Sequence, residues 1–504
     1  MRLAAASVLG ALTVMGFSPF GVFPLPLLTL AALFALWDRA ASTARAAALG
    51  LTFGLGYFVA GVSWVYVSMH DFGGMPAPLA AFATVAFCVL LAIFPAAAAA
   101  VHFRLRTGRA AADTLVAAAA WTLAEWVRGW VLTGFPWLAL GYSQGPPSPL
   151  SGYAPIVGVY GLSFLTAVAA ASLSAALSKR DRIFWAGAAV LGIAAIGVGL
   201  GPVRWTRAVG PPLPVSLLQG NIEQSLKWRP ERLQRSLDVY LDLTQRHAAR
   251  LIVFPETALP AAFDQLPATY IAALSQAAGP GNDILLGTVI REDGRYYNSA
   301  VALPTAGLVQ RYDKSHLVPF GEFTPPLFSW TLRVLNIPMS DFARGARVQR
   351  PLALAGVRVA VNICYEDVFG EEIIKALPEA TLLANLSNTA WFGDSLAQPQ
   401  HLQIAQLRAL ETGRYMLRAT NTGMTAVVDP TGTVIASLPP FTSGALQAQV
   451  RSHEGATPYV RWGNAPVLGL IALILAAAAY ARRRFGAATS PRPDKRASRV
   501  RDSR

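Results

Sequence analysis

The chain has 504 residues, a formal net charge of +14 and two cysteines, yet only 14% of its residues are charged, against roughly 25% in an ordinary soluble domain. The deficit falls in 1–203 and 464–481, while the stretch between them reads as water-soluble sequence, so a single globular domain and a disulfide scaffold are both excluded. Nine of the basic residues crowd the last 23 positions, from Arg482 to Arg504, and others punctuate the apolar runs; this is the distribution of topology signals, not of a nucleic-acid groove.

Crossing a bilayer takes roughly 20 apolar residues. In chain order the candidates are 3–18, 21–37, 46–68, 77–101, 113–131, 155–178, 183–201 and 464–481, about eight spans. The first two are short and meet at the tight turn Ser18-Pro19-Phe20-Gly21. A cleaved signal peptide is the competing reading of 1–25; apolar sequence that resumes at once, with no clear cleavage site, disfavours it. The connecting loops alternate in charge. One set carries Arg39 and Arg45, then Arg104, Arg106 and Arg109, then Lys179, Arg180 and Arg182, then the basic tail. The other set, 18–21, 69–76 and 132–154, has no Lys or Arg. The positive-inside rule therefore expects both termini in the cytoplasm and 204–463 in the periplasm of an inner-membrane protein. The expected division is a seven-helix membrane domain 1–203, a soluble domain 204–463, a last transmembrane helix 464–481 and a basic cytoplasmic tail 482–504. Glu125 and Arg128 lie three residues apart on one helix face and are expected to pair, either as a structural lock or as a functional group.

After residue 213 short β-rich runs appear at 214–219, 251–255, 284–290, 297–303, 307–312, 357–363, 381–387, 424–429, 433–437 and 445–450. Helical stretches at 230–249, 265–279, 369–376 and 398–413 lie between some of them, which predicts a layered α/β domain. Three of the strands end on residues with chemistry: Leu-Ile-Val-Phe-Pro-Glu256, Arg-Tyr-Asp-Lys314, and Val-Asn-Ile-Cys364-Tyr-Glu. Strand ends carry the sites of such folds. A glutamate base activates a thiol, and a lysine ammonium steadies both the thiolate and the oxyanion of a tetrahedral intermediate. Each residue also has a plain reading, as a turn-capping glutamate, a surface lysine or a buried cysteine, and composition alone does not choose. Cys88, inside an apolar run, reads as packing.

Phe254-Pro255-Glu256-Thr257, Tyr312-Asp313-Lys314-Ser315-His316 and Ile363-Cys364-Tyr365-Glu366 resemble the three catalytic blocks of the nitrilase superfamily, in its order, 58 and then 50 residues apart. The longer block Lys314-x-His-Leu-Val-Pro-Phe-Gly-Glu322 is similar to that of the apolipoprotein N-acyltransferase branch. So are Gln219-Gly220-Asn221 with Trp228, Asn385 through Gly393, Arg408 through Arg414, Asn421 through Thr425, and in the membrane part Thr133 through Trp137 with Gly141-Tyr142. The likeness covers nearly the whole chain up to about residue 485. It departs at Thr389, where the family usually has an acid, which puts one loop contact beside the site in doubt.

The resemblance implies a nitrilase-like αββα sandwich for the soluble domain. Glu256 is then the general base, Lys314 the oxyanion stabiliser and Cys364 the nucleophile. Glu322 and Glu366 are the supporting acids, Tyr365 a neighbour of the triad, and Trp228 an aromatic against the acyl chain or lid; plain packing competes for Tyr365 and Trp228. The implied reaction takes an acyl chain from a phospholipid onto Cys364 as a thioester, then passes it to the α-amine of a diacylated apolipoprotein. The implied partners are those two substrates and the bilayer, with the enzyme a monomer. No cofactor and no metal is expected, since His102, His247, His316, His401 and His453 show no ligand spacing and no glycine-rich phosphate loop occurs. A membrane-tethered amidase using water as acceptor is one alternative. A transporter with a periplasmic domain is another, but its mark is charge on several spans, and only Glu125 and Arg128 qualify. Segments 221–230 and 323–345 are the lid candidates.

Overall fold

Side chains alternate between the two faces of a strand, and the central strands after residue 205 bury both faces. The structure, a computed structural model, describes residues 1–224, 230–305, 307–324 and 341–486. Its strands are β1 (Thr206–Gln219), β2 (Leu251–Val253), β3 (Asp283–Glu292), β4 (Arg295–Leu303), β5 (Gln310–Asp313), β6 (Leu352–Leu354), β7 (Val357–Ile363), β8 (Leu382–Ser387), β9 (Met416–Thr420), β10 (Ala426–Val428), β11 (Val434–Ser437) and β12 (Gly444–Gly455). They form two six-stranded sheets, ordered β12-β1-β2-β3-β4-β5 and β11-β10-β9-β8-β7-β6. In each sheet the three central strands, β1 to β3 and β7 to β9, run parallel.

Leu217, Leu251, Val253 and Leu285 of the first sheet meet Val359, Val361, Leu386 and Leu417 of the second in one apolar layer. The alternate residues turn outward. Ile252, Ile284 and Leu286 pack under Leu237 and Tyr240 of helix Pro230–Arg246 and Leu274 of helix Ala268–Ala278. On the far side Leu383, Met416 and Val428 pack under Leu402, Ala405 and Ala409 of helix Ala397–Thr412. The order of layers is α-β-β-α, the nitrilase-like sandwich. Two strands exceed the ten expected. β6 has only three residues, and β9 carries the buried Arg418 in its centre, a charge that breaks the apolar pattern by which a buried strand is recognised.

All eight apolar segments of the sequence contain a helix: Arg2–Thr13, Leu25–Asp38, Thr43–Val62, Ala77–Leu105, Ala110–Arg128, Ala154–Ser178, Ile183–Leu200 and Ala465–Gly486. Among the described residues five stretches are long and apolar enough to cross a membrane: Thr43–Val62, Ala77–Leu105, Pro149–Leu177, Ile183–Leu200 and Ala465–Arg484. The first two helices, of 12 and 14 residues, are shorter than a full crossing. Ala110–Arg128 carries Asp113, Glu125 and Arg128.

Glu125 and Arg128 are not the expected ion pair. Both turn to the following loop: Glu125 Oε1 accepts the Leu140 N–H (2.9 Å) and the Trp121 indole N–H (3.0 Å), while Arg128 Nη1 donates to the carbonyls of Phe135 and Trp137 (2.6 Å for Trp137). The irregular loop backbone has more unmet polar groups than the helix, and the two charges satisfy them.

Helix Ala154–Ser178 is broken at Gly158, whose φ of +62° and ψ of −172° only glycine adopts readily. The break frees the Val159 N–H, which donates to Glu411 Oε1 of helix Ala397–Thr412 at 2.7 Å, and a Cβ on Gly158 would strike the Tyr459 ring. Gly158→Ala is therefore expected to destabilise the protein by about 3 kcal/mol or more. Gly192→Ala, where an added Cβ meets nothing within 4 Å, is the reference. Thermal unfolding of both in detergent checks this, and equal midpoints would refute it.

Candidate active site

Parallel strands bring their carboxyl ends to one edge, and the two stacked sheets bring two such edges together. The chain leaving β2 carries Glu256; it runs so close to β3 that a Cβ at Gly287 would overlap the Pro255 carbonyl. Lys314 follows β5, its N–H donating to the Asn298 carbonyl of β4 at 2.8 Å. Cys364 follows β7 at a φ of +52°, a strained turn that lifts its side chain off the sheet end.

Lys314 is 1% exposed. Its Nζ lies 3.2 Å from Glu256 Oε1 and 2.8 Å from Glu322 Oε2. The Asn298 amide donates to Glu256 Oε1 and Glu322 Oε1, each at 2.7 Å, and the Asn388 N–H donates to Glu256 Oε2 at 2.8 Å. Glu322 also accepts the Val318 N–H at 2.9 Å, which ties the 318–322 turn to the lysine. Burial alone would lower the lysine pKa, but the Glu256 and Glu322 carboxylates more than offset it and hold the ammonium above its ordinary range. Burial, reinforced by Glu256, pushes the Cys364 thiol up to about 12, while Lys314 and the Ser387 hydroxyl pull it the other way. The Cys364 side chain is thus a neutral thiol in the field of a carboxylate and an ammonium.

Glu366 touches the frame of the site. Its carboxylate accepts the N–H groups of Ile363 (2.7 Å), Ser315 (2.7 Å) and His316 (3.0 Å), and the hydroxyls of Ser315 (2.9 Å) and Tyr312 (3.0 Å). It rivets the lysine segment to the cysteine turn. Tyr365 reaches away, its hydroxyl donating to the Gly134 carbonyl of the membrane part at 3.0 Å. His316 does the same: Nε2 donates to the Thr133 carbonyl at 2.9 Å while Nδ1 faces Glu372 at 3.1 Å. Trp228, half of the lid candidate 221–230 and most of the lid candidate 323–345 lie outside the described residues.

Several contacts escape a reading of the sequence. Asn298 sits in the strand Arg295–Leu303; a polar residue before the apolar run 300–303 is the only signal it gives. Behind the nucleophile, Asn385 Nδ2 donates to the Cys364 carbonyl at 3.0 Å, and Arg418 bridges Asn385 Oδ1 (2.8 Å) and Asp367 Oδ2 (3.0 Å). His401 Nε2 completes the chain on Asp367 Oδ1 at 2.7 Å. Thr389, where the resemblance leads one to expect an acid, donates to Gln398 Oε1 at 2.7 Å and is fully buried. Among the described residues no group of three or more His, Cys, Asp or Glu could hold a metal ion.

The thiol's high pKa has a kinetic signature. Alkylation of Cys364 by N-ethylmaleimide, followed by intact mass, is expected to accelerate about tenfold per pH unit from 7 to 9, because the thiolate fraction grows so far below the pKa. A plateau in that range would contradict a buried neutral thiol.

Residues 9–172 match the model of the apolipoprotein N-acyltransferase N-terminal domain, and residues 215–459 match that of carbon-nitrogen hydrolases. A protein of Nitrosomonas europaea named apolipoprotein N-acyltransferase is 50% identical over 496 residues, covering 96% of this chain and 98% of that protein. One of the same name from Ralstonia nicotianae is 47% identical over 501 residues, covering 97% of this chain and 95% of that one. With both domains matched and identity sustained along almost the full length, the chain belongs to the apolipoprotein N-acyltransferase family.

Proposed function

We propose that this chain N-acylates the diacylglyceryl-cysteine at the N terminus of apolipoproteins, using an acyl group that it takes from a phospholipid and holds as a thioester on Cys364. The observation that carries this reading is the buried Glu256–Lys314–Glu322 cluster beside the cysteine, on the sheet edge that is bonded to the membrane part through Tyr365 and His316. A site so placed suits substrates whose reactive groups sit at a membrane surface.

The chemistry divides into two displacements. In the first, Glu256 takes the thiol proton as Cys364 Sγ bonds to the ester carbonyl carbon of the donor. The Lys314 ammonium faces the developing oxyanion. The ester C–O bond then breaks, and the lysophospholipid leaves with the proton that Glu256 returns. In the second, the acceptor α-amine adds to the thioester, Glu256 takes a proton from it, and the C–S bond breaks to leave the amide and a free thiol. Glu322 and Asn298 fix the lysine and the base, and Glu366 fixes the turn that carries the nucleophile. Trp228 is assigned to the acyl chain or lid. The hydrolytic alternative would send the acyl group to water, and no feature of the site favours it.

The topology belongs to the same proposal. About eight helices span the inner membrane, 1–203 and 464–481 form the bundle, and the domain 204–463 stands in the periplasm with both termini cytoplasmic. The charge alternation of the loops supports this orientation. The enzyme acts as a monomer and needs no cofactor.

Purified protein incubated with phospholipid alone is expected to gain the mass of one acyl chain, removable by neutral hydroxylamine and absent in Cys364→Ala. A diacylated lipopeptide should then discharge it onto the amine. Glu256→Gln is expected to slow the gain by about 10²–10⁴-fold, the usual worth of a positioned base. A folded protein whose mass never changes, or whose acyl group passes to water and never to the lipopeptide, would sink the proposal.

A further inference from the structure

At the end of the bundle farthest from Cys364, a cavity of about 440 Å³ opens between helix ends. Arg106 and Arg182 stand among its walls, both only partly exposed. Among the described residues neither makes an ion pair. Arg106 donates to the Asp38 backbone carbonyl at 3.1 Å and lies over the Phe103 ring, while the nearby acids are engaged elsewhere. Asp38 faces His102 Nε2 at 3.1 Å, and Asp113 accepts from the Thr107 and Gly108 N–H groups at 2.6 and 3.0 Å. Deeper in, Phe34, Ala117 and Ala171 give the cavity an apolar floor. His102 also lines it; the residue is 2% exposed, and its Nδ1 has no hydrogen-bond partner.

Two guanidinium groups without a carboxylate partner, over an apolar slot and with a buried polar atom left unmet, form an amphiphile's complement. Guanidinium forks match phosphate oxygens. Basic pockets between membrane helices are suited to lipid headgroups. A free phosphate would use the arginines and leave the slot empty; a lipid uses both. We propose that this cavity binds one membrane glycerophospholipid, its phosphate between Arg106 and Arg182 and one acyl chain against Phe34, Ala117 and Ala171. The site is separate from the catalytic centre, and it rests on the reading that these helices cross a bilayer.

The test uses full-length protein in phosphatidylethanolamine–phosphatidylglycerol vesicles, with a trace of phosphatidylethanolamine that carries a photoactivatable diazirine in its acyl chain. Labelled peptides are mapped by mass spectrometry. Labelling is expected within 106–117 and 170–182, reduced by excess unlabelled phospholipid and not by sodium phosphate. It should fall at least about tenfold in Arg106→Ala/Arg182→Ala, the equivalent of one charge-assisted hydrogen bond. It should fall likewise in Ala171→Phe, which fills the floor and keeps both arginines. Labelling of the outward face of 183–200 by bulk lipid serves as the reference for insertion in every variant. Equal labelling of the cavity peptides in both variants would mean bulk contact and overturn the site. Competition by sodium phosphate would make it a simple anion site and overturn the lipid. Thioester formation on Cys364 in the same vesicles reports on the acyltransferase reading separately, so either idea can fail without the other.

Discussion

A lysine ammonium buried between two carboxylates holds the sheet edge beside Cys364 together. Taking such charges out of water costs several kcal/mol per ion, repaid only when partners and hydrogen bonds are complete. Here they are: Lys314 touches Glu256 and Glu322, and the Asn298 amide bridges the same two acids. Removing any one member would strand the others. With both acids ionised the cluster carries one net negative charge, and that field, added to burial, keeps the nearby thiol protonated. A protonated thiol is a poor nucleophile and a poor target for oxidation. In the proposed reaction the cysteine becomes reactive only as its proton moves to Glu256, which would tie activation to the arrival of an acyl carbonyl at the sulfur.

The turn that carries Cys364 is also anchored from the membrane side. The loop after helix Ala110–Arg128 passes through left-handed backbone at Leu132 and Thr133, with φ of 54° and 78°. Such strain persists only where the surroundings over-determine it. Glu125 and Arg128 hold the loop from within the bundle, and Tyr365 and His316 hold its Gly134 and Thr133 carbonyls from the catalytic side. The chain on either side of Cys364 is therefore fixed twice, by Glu366 to the sheet domain and by Tyr365 to the bundle. A rigid support of this kind is what positioning of reacting atoms demands.

Much of this was legible in the sequence, and unevenly. Long apolar runs announce helices because every face must be buried or turned to lipid, and each of the eight runs contains a helix. Strands with apolar runs were equally plain, as were the three strand ends that carry Glu256, Lys314 and Cys364. What stayed hidden is polar and long-range. Arg418 disguised β9, because its partners Asp367 and Asn385 come from 51 and 33 residues away. Asn298 gives no sign that it serves Glu256, 42 residues earlier in the chain. Glu125 and Arg128 looked like a local pair by helical spacing, yet each found a backbone group in the loop. Periodicity reports which face a residue occupies, not which distant atom it meets.

Helix Ala397–Thr412 shows why the two halves form one protein. In a sandwich, an outer helix needs one apolar face for its sheet and leaves the other to water. Here Leu402, Ala405 and Ala409 serve the sheet, while Ile404, Leu407 and Leu410 join the core of the bundle. Its polar residues are buried as well. Arg408 pairs with Glu411 at 3.1 Å, and Glu411 accepts the Val159 N–H that the break at Gly158 releases. A buried ion pair of this kind contributes little net stability, but it tolerates no other geometry. Separating the halves would expose a second apolar face and leave both the pair and the broken helix unsatisfied. The catalytic layer is thus built to exist only against the bundle, and that is what keeps its edge, with Cys364 upon it, facing the helices.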